Sequence, residues 1–550
     1  MKKWLLVALN AKYSHTSLSV RSICSYVLKN GYNNISFFEG TINDEYFSLL
    51  NSILEKKTDV IGFSSYIWNI ELVKKLVADI KEICPHITVF SGGPEVSYNK
   101  SVFKEIPQLD FVIRGEGEIP ILKLLKGEEN IPGVCKSDDE YHFGEMEDMD
   151  NLPFCYEGEL ENLTNRAVYY ETSRGCPFKC AFCISSLTKG VRTLPLKRVF
   201  SEIDLFSYMK IKRVKLVDRT FNFDKERAKE IIRYILSKKR ETCFHFEIGA
   251  DLLDKELMDI INEADYDTIQ FEAGIQSTNE ESLKLCDRAT DMDKLKNNLL
   301  YLKDAKVRVH LDLIAGLPKE DFESFKRSFD EVYALSPKVL QVGFLKLLHG
   351  SKLREEKERY NYRFKSTAPY EILSNNFISF FELMEIKKVD KSVDAYFNSG
   401  IFKNSLSYIL KKNNISPFLF YLKLGEKMGD DKLSLKDKFL VLKNLYEKMF
   451  YEDNEFSEHL KLDYVIKERG SLPPFFNNFK NKENITKINE FLKNEENYHK
   501  FGAGENERYK DFIKYLDFEI FDFHNKKSLY IFNRRTNNTI KLNEGELSGI

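Results

Sequence analysis

No apolar run in this chain reaches the about 18 residues that a membrane-crossing helix needs, so no membrane span is expected. The apolar start Met1-Lys2-Lys3-Trp4-Leu5-Leu6-Val7-Ala8-Leu9 is cut short by Asn10 and Lys12, and it reads as a buried first strand rather than a leader. Charge of one sign is not in excess: 83 Lys and Arg against 85 Asp and Glu leave a formal net charge of −2. The large basic footprint of a dedicated nucleic-acid binder is missing, and a nucleic-acid partner is not expected. The nine cysteines show no regular pairing. In a chain of this length that argues against a secreted disulfide framework and for the reducing cytoplasm. No internal repeat is found.

What is present is the mix of a soluble protein with a sizeable core, 43% hydrophobic and 31% charged over 550 residues. That length suits roughly three domains at about 100–200 residues each. From the start, strands (Leu5–Leu9, Ile35–Glu39, Val60–Ser64, Thr88–Ser91, Phe111–Arg114) alternate with helices (Leu18–Lys29, Tyr46–Lys56, Ile70–Ile83). Such alternation predicts a parallel, doubly wound sheet of α/β class. Its ligand sites lie beyond the carboxyl ends of the strands, where Gly92-Gly93 and Gly115-Glu116-Gly117 fall. From the glycines alone these are either close-approach loops or ordinary tight turns.

Residues 126–165 are acidic and aperiodic, and read as a linker. A second series follows, with strands at Ala167–Thr172, Arg213–Val217, Phe244–Ile248, Thr268–Ala273, Arg308–Ile314 and Val339–Leu345. Helices are expected between them at Lys225–Lys238, Lys255–Ala264, Met292–Ala305 and Phe322–Ala334. Six βα units predict a partial, open (β/α)6 barrel of TIM type, whose sites also lie at the strand C-termini. Beyond about residue 350 helical periodicity takes over, with helices at Glu371–Met384, Leu435–Tyr451 (Ser434 capping) and Asn484–Leu492. A small hairpin is expected at Ser528–Asn533 and Thr539–Leu542. The division expected is 1–125, a linker 126–165, 166–350, and a mainly helical 351–550.

Directly after the first strand of the second series comes Arg174-Gly175-Cys176-Pro177-Phe178-Lys179-Cys180-Ala181-Phe182-Cys183. The spacing C-x3-C-x2-C offers three thiolates where an iron–sulfur cube has four irons, leaving one iron open to a ligand. Zinc with a fourth ligand is the competing reading, but zinc sites favour C-x2-C pairs, no second close pair exists, and no histidine is nearby. Cys24, Cys84, Cys135, Cys155, Cys243 and Cys286 are scattered and read as structural or incidental.

The run Glu171-Thr172-Ser173-Arg174-Gly175-Cys176 through Cys183 resembles the signature of radical S-adenosylmethionine (SAM) enzymes. The resemblance implies a 4Fe-4S cluster on Cys176, Cys180 and Cys183, and SAM held at the open iron. One electron from the reduced cluster would cleave SAM to methionine and a 5′-deoxyadenosyl radical. It also implies SAM contacts from Phe182, from Asp218 at the end of the second strand, from Glu272 and Gln276 after the fourth, and from Ile314 and Gly316 after the fifth. The first 125 residues resemble the cobalamin-binding domain that precedes many radical SAM cores, through Phe63-Ser64-Ser65, Ser91-Gly92-Gly93-Pro94-Glu95 and Arg114-Gly115-Glu116-Gly117-Glu118. Ser64, Ser65, Gly92, Gly93, Gly115, Glu116 and Gly117 would then line the corrinoid site. The D-x-H-x-x-G motif of histidine-ligated cobalamin is incomplete here: Tyr13-Ser14-His15-Thr16-Ser17-Leu18 keeps only the histidine. His15 is either a near-face group or a solvated or hydrogen-bonding loop residue. The tail resembles a subgroup with an uncharacterised C-terminal domain.

The resemblance implies a cytoplasmic, anaerobic enzyme, a transferase methylating an unreactive carbon and served by a reductant such as flavodoxin or ferredoxin, with its substrate unknown. A radical rearrangement, cyclisation or reduction is the alternative, and a non-catalytic corrinoid-binding or sensing module is the alternative of another class. A tRNA-methylthiolating enzyme would carry a second set of three clustered N-terminal cysteines, for which Cys24, Cys84, Cys135 and Cys155 give no convincing pattern.

Overall fold

The run Trp4–Asn10 forms β1, with every residue buried. A strand covered by helices on both faces has no solvent side, so its sequence is continuously apolar instead of alternating. The computed structural model describes residues 2–188, 190–238, 241–265, 268–429, 432–478, 482–504 and 507–542. Around β1 a sheet assembles from β2 (Ile35–Thr41), β3 (Val60–Ser64), β4 (Thr88–Gly92), β5 (Phe111–Ile113) and β6 (Val134–Cys135), in the order β2-β1-β3-β4-β5-β6. Connecting helices are α1 (Leu18–Lys29), α2 (Tyr46–Leu54), α3 (Ile70–Ile83) and α4 (Glu118–Lys126). On one face Leu5, Val7 and Leu9 pack with Ile53, Val73 and Leu76; on the other Leu6 and Ala8 pack with Val20, Val27 and Ile121.

Five strands are parallel, as the alternation predicts. The sixth is antiparallel, with Val112 opposite Cys135. It comes from the acidic stretch 126–165, which also buries Ile131, Leu152, Tyr156, Leu160 and Leu163. Single apolar residues separated by polar ones carry no period, so the sequence does not announce this packing.

The second sheet contains β7 (Ala167–Tyr170), β10 (Arg213–Leu216), β11 (Cys243–Ile248), β12 (Ile269–Gln276), β13 (Arg308–Ala315) and β14 (Val339–Phe344). Its six strands are parallel and lie in chain order, with β7 and β14 as open edges: a partial barrel. Between β7 and β10 a short antiparallel pair, β8 (Ser173–Gly175) and β9 (Val191–Thr193), brackets the cysteine run. The helices around this sheet include α5 (Leu196–Tyr208), α6 (Lys225–Leu236), α7 (Lys255–Asn262), α8 (Glu280–Leu285), α9 (Met292–Tyr301) and α10 (Phe322–Ala334). Several end two to four residues before the periodicity does, since terminal carbonyls lack helical partners.

The helix expected over Glu371–Met384 is not there. Instead β15 (Arg363–Phe364) pairs with β16 (Ile372–Ser374), and the helix α11 starts at Phe380 and runs to Ser392. Local side chains decide this. Asn375 Oδ1 accepts from the N–H groups of Phe377 and Ile378, closing a turn. Ser379 and Glu382 then form a reciprocal capping box: Ser379 N–H donates to the Glu382 carboxylate, and Glu382 N–H to Ser379 Oγ.

The chain divides into two compact units, Met1–Leu383 and Met384–Ile550. The second contains α12 (Lys403–Asn413), α13 (Pro417–Met428), α14 (Leu435–Phe450), α15 (Asn454–Lys467) and α16 (Lys482–Lys493). Ser434 caps α14, its Oγ accepting from Asp437 N–H at 3.2 Å. The expected hairpin is present as β18 (Lys526–Asn533) and β19 (Asn538–Leu542), and β17 (Leu516–Phe523) adds a third strand. Among the described residues no helix is long and apolar enough to cross a membrane.

Candidate active site

The cysteine loop hangs from both strands of the β8–β9 pair, so its two ends are fixed together. Gly175, with φ +104°, sits where a Cβ would overlap the Gly190 carbonyl oxygen; only glycine fits before Cys176. The loop is pinned from outside by Ala181 N–H to Cys286 O at 2.8 Å and by Leu353 N–H to Ala181 O at 2.9 Å. Cys176, Cys180 and Cys183 are all unbridged. Each sulfur has a polar neighbour: Thr220 Oγ1 lies 3.8 Å from Cys176, Arg288 Nη1 3.7 Å from Cys180, and Ser185 N–H donates to Cys183 at 3.4 Å. Burial pushes the Cys180 thiol up, and Arg288 opposes that. Three free thiols on one loop, each with a polar neighbour, fit the donor set of an iron–sulfur cluster with one open position.

The loop opens on a cavity of about 230 Å³ at the C-terminal ends of β10 to β13. Phe178, Cys180, Arg219, Glu247, Glu272, Gln276, Arg288 and Asp312 are on its wall. Of the residues expected to touch SAM, Glu272 and Gln276 reach it. Glu272 accepts from His245 Nε2 at 3.0 Å and faces Lys215 Nζ at 3.5 Å. The His245 hydrogen bond, opposed by burial and aided by Lys215, holds the Glu272 carboxyl down at about 2. Asp312 behaves oppositely: burial first, then the charges of Glu272 and Glu247, push it up to about 7.

The other expected SAM contacts are placed differently. Asp218 is 1% exposed and does not line the cavity. Its carboxylate accepts from Thr172 N–H at 2.9 Å, from Ser173 Oγ at 2.7 Å and from Ser173 N–H, so it holds the chain entering the cysteine loop. Gly316 is covered by Ile372, whose Cδ1 fills the place of a Cβ, and its carbonyl accepts from Tyr362 OH and Asn375 Nδ2. Phe182 and Ile314 are half-buried and off the cavity wall, where Phe178 stands instead.

The loops expected to face a corrinoid gather at one rim of the first sheet. Gly93, at φ +101°, lets β4 turn against Ser65, where a Cβ would crowd the Ser65 carbonyl. Ser65 Oγ lies 2.6 Å from Ser91 Oγ, and Ser64 Oγ 2.9 Å from Ser19 Oγ. Gly92 and Gly115 have no close overlap, while a Cβ on Gly117 would press on Ile23. His15 sits at the junction with the second sheet. Its Nδ1 is 3.3 Å from Tyr169 OH, and Ser14 O accepts from Ala167 N–H. Burial and then Lys12, Lys215 and Arg166 lower its pKa, which keeps the ring neutral.

Sequence reasoning did not weigh Arg174. It meets Glu171 and Glu118 at 2.7 Å and Glu116 at 2.9 Å, and Arg192 also pairs with Glu116. Nor did it weigh Lys215, His245, Glu247 or Arg288. The strict alternation in His245-Phe246-Glu247, Gln270-Phe271-Glu272 and His310-Leu311-Asp312 was the available signal. A second group of potential ligands, Cys135, Glu140 and His142, lies beside β6. There His142 Nδ1 accepts from Gly133 N–H, so Nε2 carries the proton and faces Cys135 Sγ at 3.8 Å as a donor. The two side chains thus form a hydrogen-bonded pair.

Comparison with known proteins accords with this layout. Residues 4–125 match the B12 binding domain, residues 170–332 the Radical SAM superfamily, and residues 358–540 a protein family of unknown function, DUF4080. An uncharacterized methyltransferase of Pyrococcus horikoshii is 25% identical over 55% of this chain and 71% of its own length. The cobalamin-dependent radical SAM methyltransferase TokK of Streptomyces tokunonensis is 25% identical over 49% of this chain and 44% of its own. An anaerobic magnesium-protoporphyrin IX monomethyl ester cyclase of Rubrivivax gelatinosus is 22% identical, over 56% and 60%. The chain therefore spans less than two thirds of the latter two. In fold it is similar to the cobalamin-dependent SAM radical enzyme OxsB, with a TM-score of 0.60 at 17% identity over 84% of this chain and 79% of that one. The chain thus carries, in order, a B12-binding domain, a radical SAM domain in a partial barrel and a DUF4080 segment, the domain set of a cobalamin-dependent radical SAM enzyme.

Proposed function

We propose that this protein transfers a methyl group to an unreactive carbon of a substrate held in the partial barrel. The observation that carries the reading is the cysteine tripod opening on a cavity beside a second cofactor domain, both within one compact unit. When bound, the cluster, SAM and cobalamin supply the electron, the radical and the methyl carrier. The chain's own residues do the rest. Cys176, Cys180 and Cys183 would hold the cluster, with Thr220, Arg288 and Ser185 beside their sulfurs. Glu272, kept ionised by His245 and Lys215, and Gln276 would offer oxygen and amide groups to SAM. Ser64, Ser65, Gly93 and Glu116 shape the rim that would receive the corrinoid. Arg174 ties that rim to the cysteine loop. Phe178 adds an apolar side chain to the cavity wall.

The test is anaerobically reconstituted full-length protein with methyl-labelled SAM, reductant and a small-molecule extract of the native cells. Matched release of 5′-deoxyadenosine and S-adenosylhomocysteine, with label in a new carbon–carbon bond, supports the reading. 5′-Deoxyadenosine without S-adenosylhomocysteine or labelled product would favour rearrangement or cyclisation, the class of one relative. Intact SAM would remove both.

A further inference from the structure

Parallel strands covered on both faces read as unbroken apolar runs, and the interiors of β/α barrels are filled mainly by branched aliphatic side chains. The concave face of the second sheet is not built that way. Phe244, Phe246, Phe271 and Leu311 are buried on the helix-covered side, while the alternate positions are polar. The strand registers set those polar residues in rows. Lys215 stands beside His245 and Gln270; Glu247 beside Glu272 and His310; Gly274 beside Asp312 and Gln341. The last row is nearest the rim, where Cys180 and Arg288 lie.

The carboxyl groups of this face are unequally partnered. Lys215 and His245 are committed to Glu272. Glu247 is half-buried; burial raises its carboxyl, and Arg219 at the rim is the main charge opposing that. Asp312 Oδ1 is shielded from solvent and has no hydrogen-bond partner among the described residues. Both side chains line the cavity. An unpaired carboxylate in such a place is costly until a donor reaches it. A bound ion is not the donor expected here, because among the described residues the acidic and histidine groups of this face do not converge as a ligand set. They are spread along two rows, as a molecule would need.

Resting on the function proposed above, we infer that the substrate is a compact polar molecule carrying a protonated amine or guanidinium, received by Asp312 and Glu247. A large apolar macrocycle would have to bury its surface against these charges. A cation beside Asp312 would also bring its raised carboxyl back to the ionised form.

The test uses reconstituted full-length protein, saturated with SAM and titrated calorimetrically with agmatine, and separately with 1,4-butanediol and glutarate as neutral and acidic counterparts. Agmatine is expected to bind about tenfold or more tightly than either counterpart, and Asp312→Asn or Glu247→Gln to weaken it by about tenfold. SAM affinity in the same variants should stay within roughly a factor of two, well inside 1.4 kcal/mol. No binding of agmatine, equal binding of the three probes, or binding untouched by both variants overturns the inference. So does a loss of SAM affinity matching the loss of agmatine, which would assign Asp312 to the cofactor. Failure of the wild-type protein to cleave SAM, with agmatine still bound, would instead remove the proposed function.

Discussion

Arg174 Nη2 lies 2.7 Å from Glu118 Oε1, joining the residue two before Cys176 to the first residue of α4 in the other sheet. Glu118 is buried, its carboxyl held low by the Arg174 charge against the desolvation it suffers. Burial outweighs the arginines at Glu116, whose carboxyl is raised. Of the two, Glu118 is the firmer partner, because Ser22 Oγ also donates to it, at 2.8 Å.

Removing the guanidinium should therefore strand buried carboxylates. Arg174→Met is expected to lower stability by about 3–5 kcal/mol, the range for breaking one side of a buried ion pair. Arg174→Lys should recover only part, since one ammonium cannot serve three carboxylates as a planar fork does. Thermal unfolding checks both. Cobalamin and iron retained per chain check whether the two cofactor loops loosen together, as one clamp predicts.

Cys176→Ala, Cys180→Ala and Cys183→Ala should each abolish the brown chromophore and acid-labile sulfide after anaerobic reconstitution, while far-ultraviolet circular dichroism stays near wild type. Cys286→Ala is the control: its thiol is buried and its contribution to the loop is a backbone carbonyl, so iron content should persist. Iron lost from Cys286→Ala alone would contradict the assignment of the tripod.

Asp218→Asn separates two roles for a residue that looks like a ligand in the sequence. If it buttresses Thr172 and Ser173, iron retention falls, because an amide offers their donors one acceptor oxygen where the carboxylate offers two. A cofactor contact would instead leave stability and iron intact and weaken SAM binding alone.

Much of the fold was legible because burial leaves a period. The unbroken apolar run at Leu5–Leu9 announced a strand covered on both faces, and the cysteine spacing announced the tripod. The misplaced helix at Glu371–Met384 shows where this fails: the apolar spacing suited a helix, but the Asn375 turn and the Ser379–Glu382 box set the start later. Gly316 and Asp218 were ambiguous for a different reason. Glycine and aspartate at strand ends suit a ligand and a packing or capping role equally, and only the positions of Ile372 and Ser173 decide. Arg174 could not be assigned partners in advance, because Glu116 and Glu118 lie 58 and 56 residues away along the chain.

Glu272 and Asp312 share the cavity and should respond to pH in opposite senses. Glu272 is depressed from 4.5 to about 2 in the fold. Its contribution, up to about 3 kcal/mol at 1.36 kcal/mol per unit, is present above pH 4.5 and is lost as pH falls toward 2. Glu272→Gln should thus destabilise the protein at pH 7 and cost progressively less below pH 4.5. Asp312 is raised from 3.8 to about 7 by burial and by Glu272 and Glu247, with Lys215 opposing. The fold favours its protonated form, so stability is lost as pH climbs from 3.8 to 7, by up to about 4 kcal/mol. Asp312→Asn, a neutral isostere, should be near wild type at pH 4 and clearly more stable at pH 8 when no ligand is bound. Melting temperatures of the three proteins across pH 3 to 8 check both slopes. A flat Asp312→Asn difference across that range would show that the carboxyl is solvated or already paired, and would take with it the argument that this face awaits a cation.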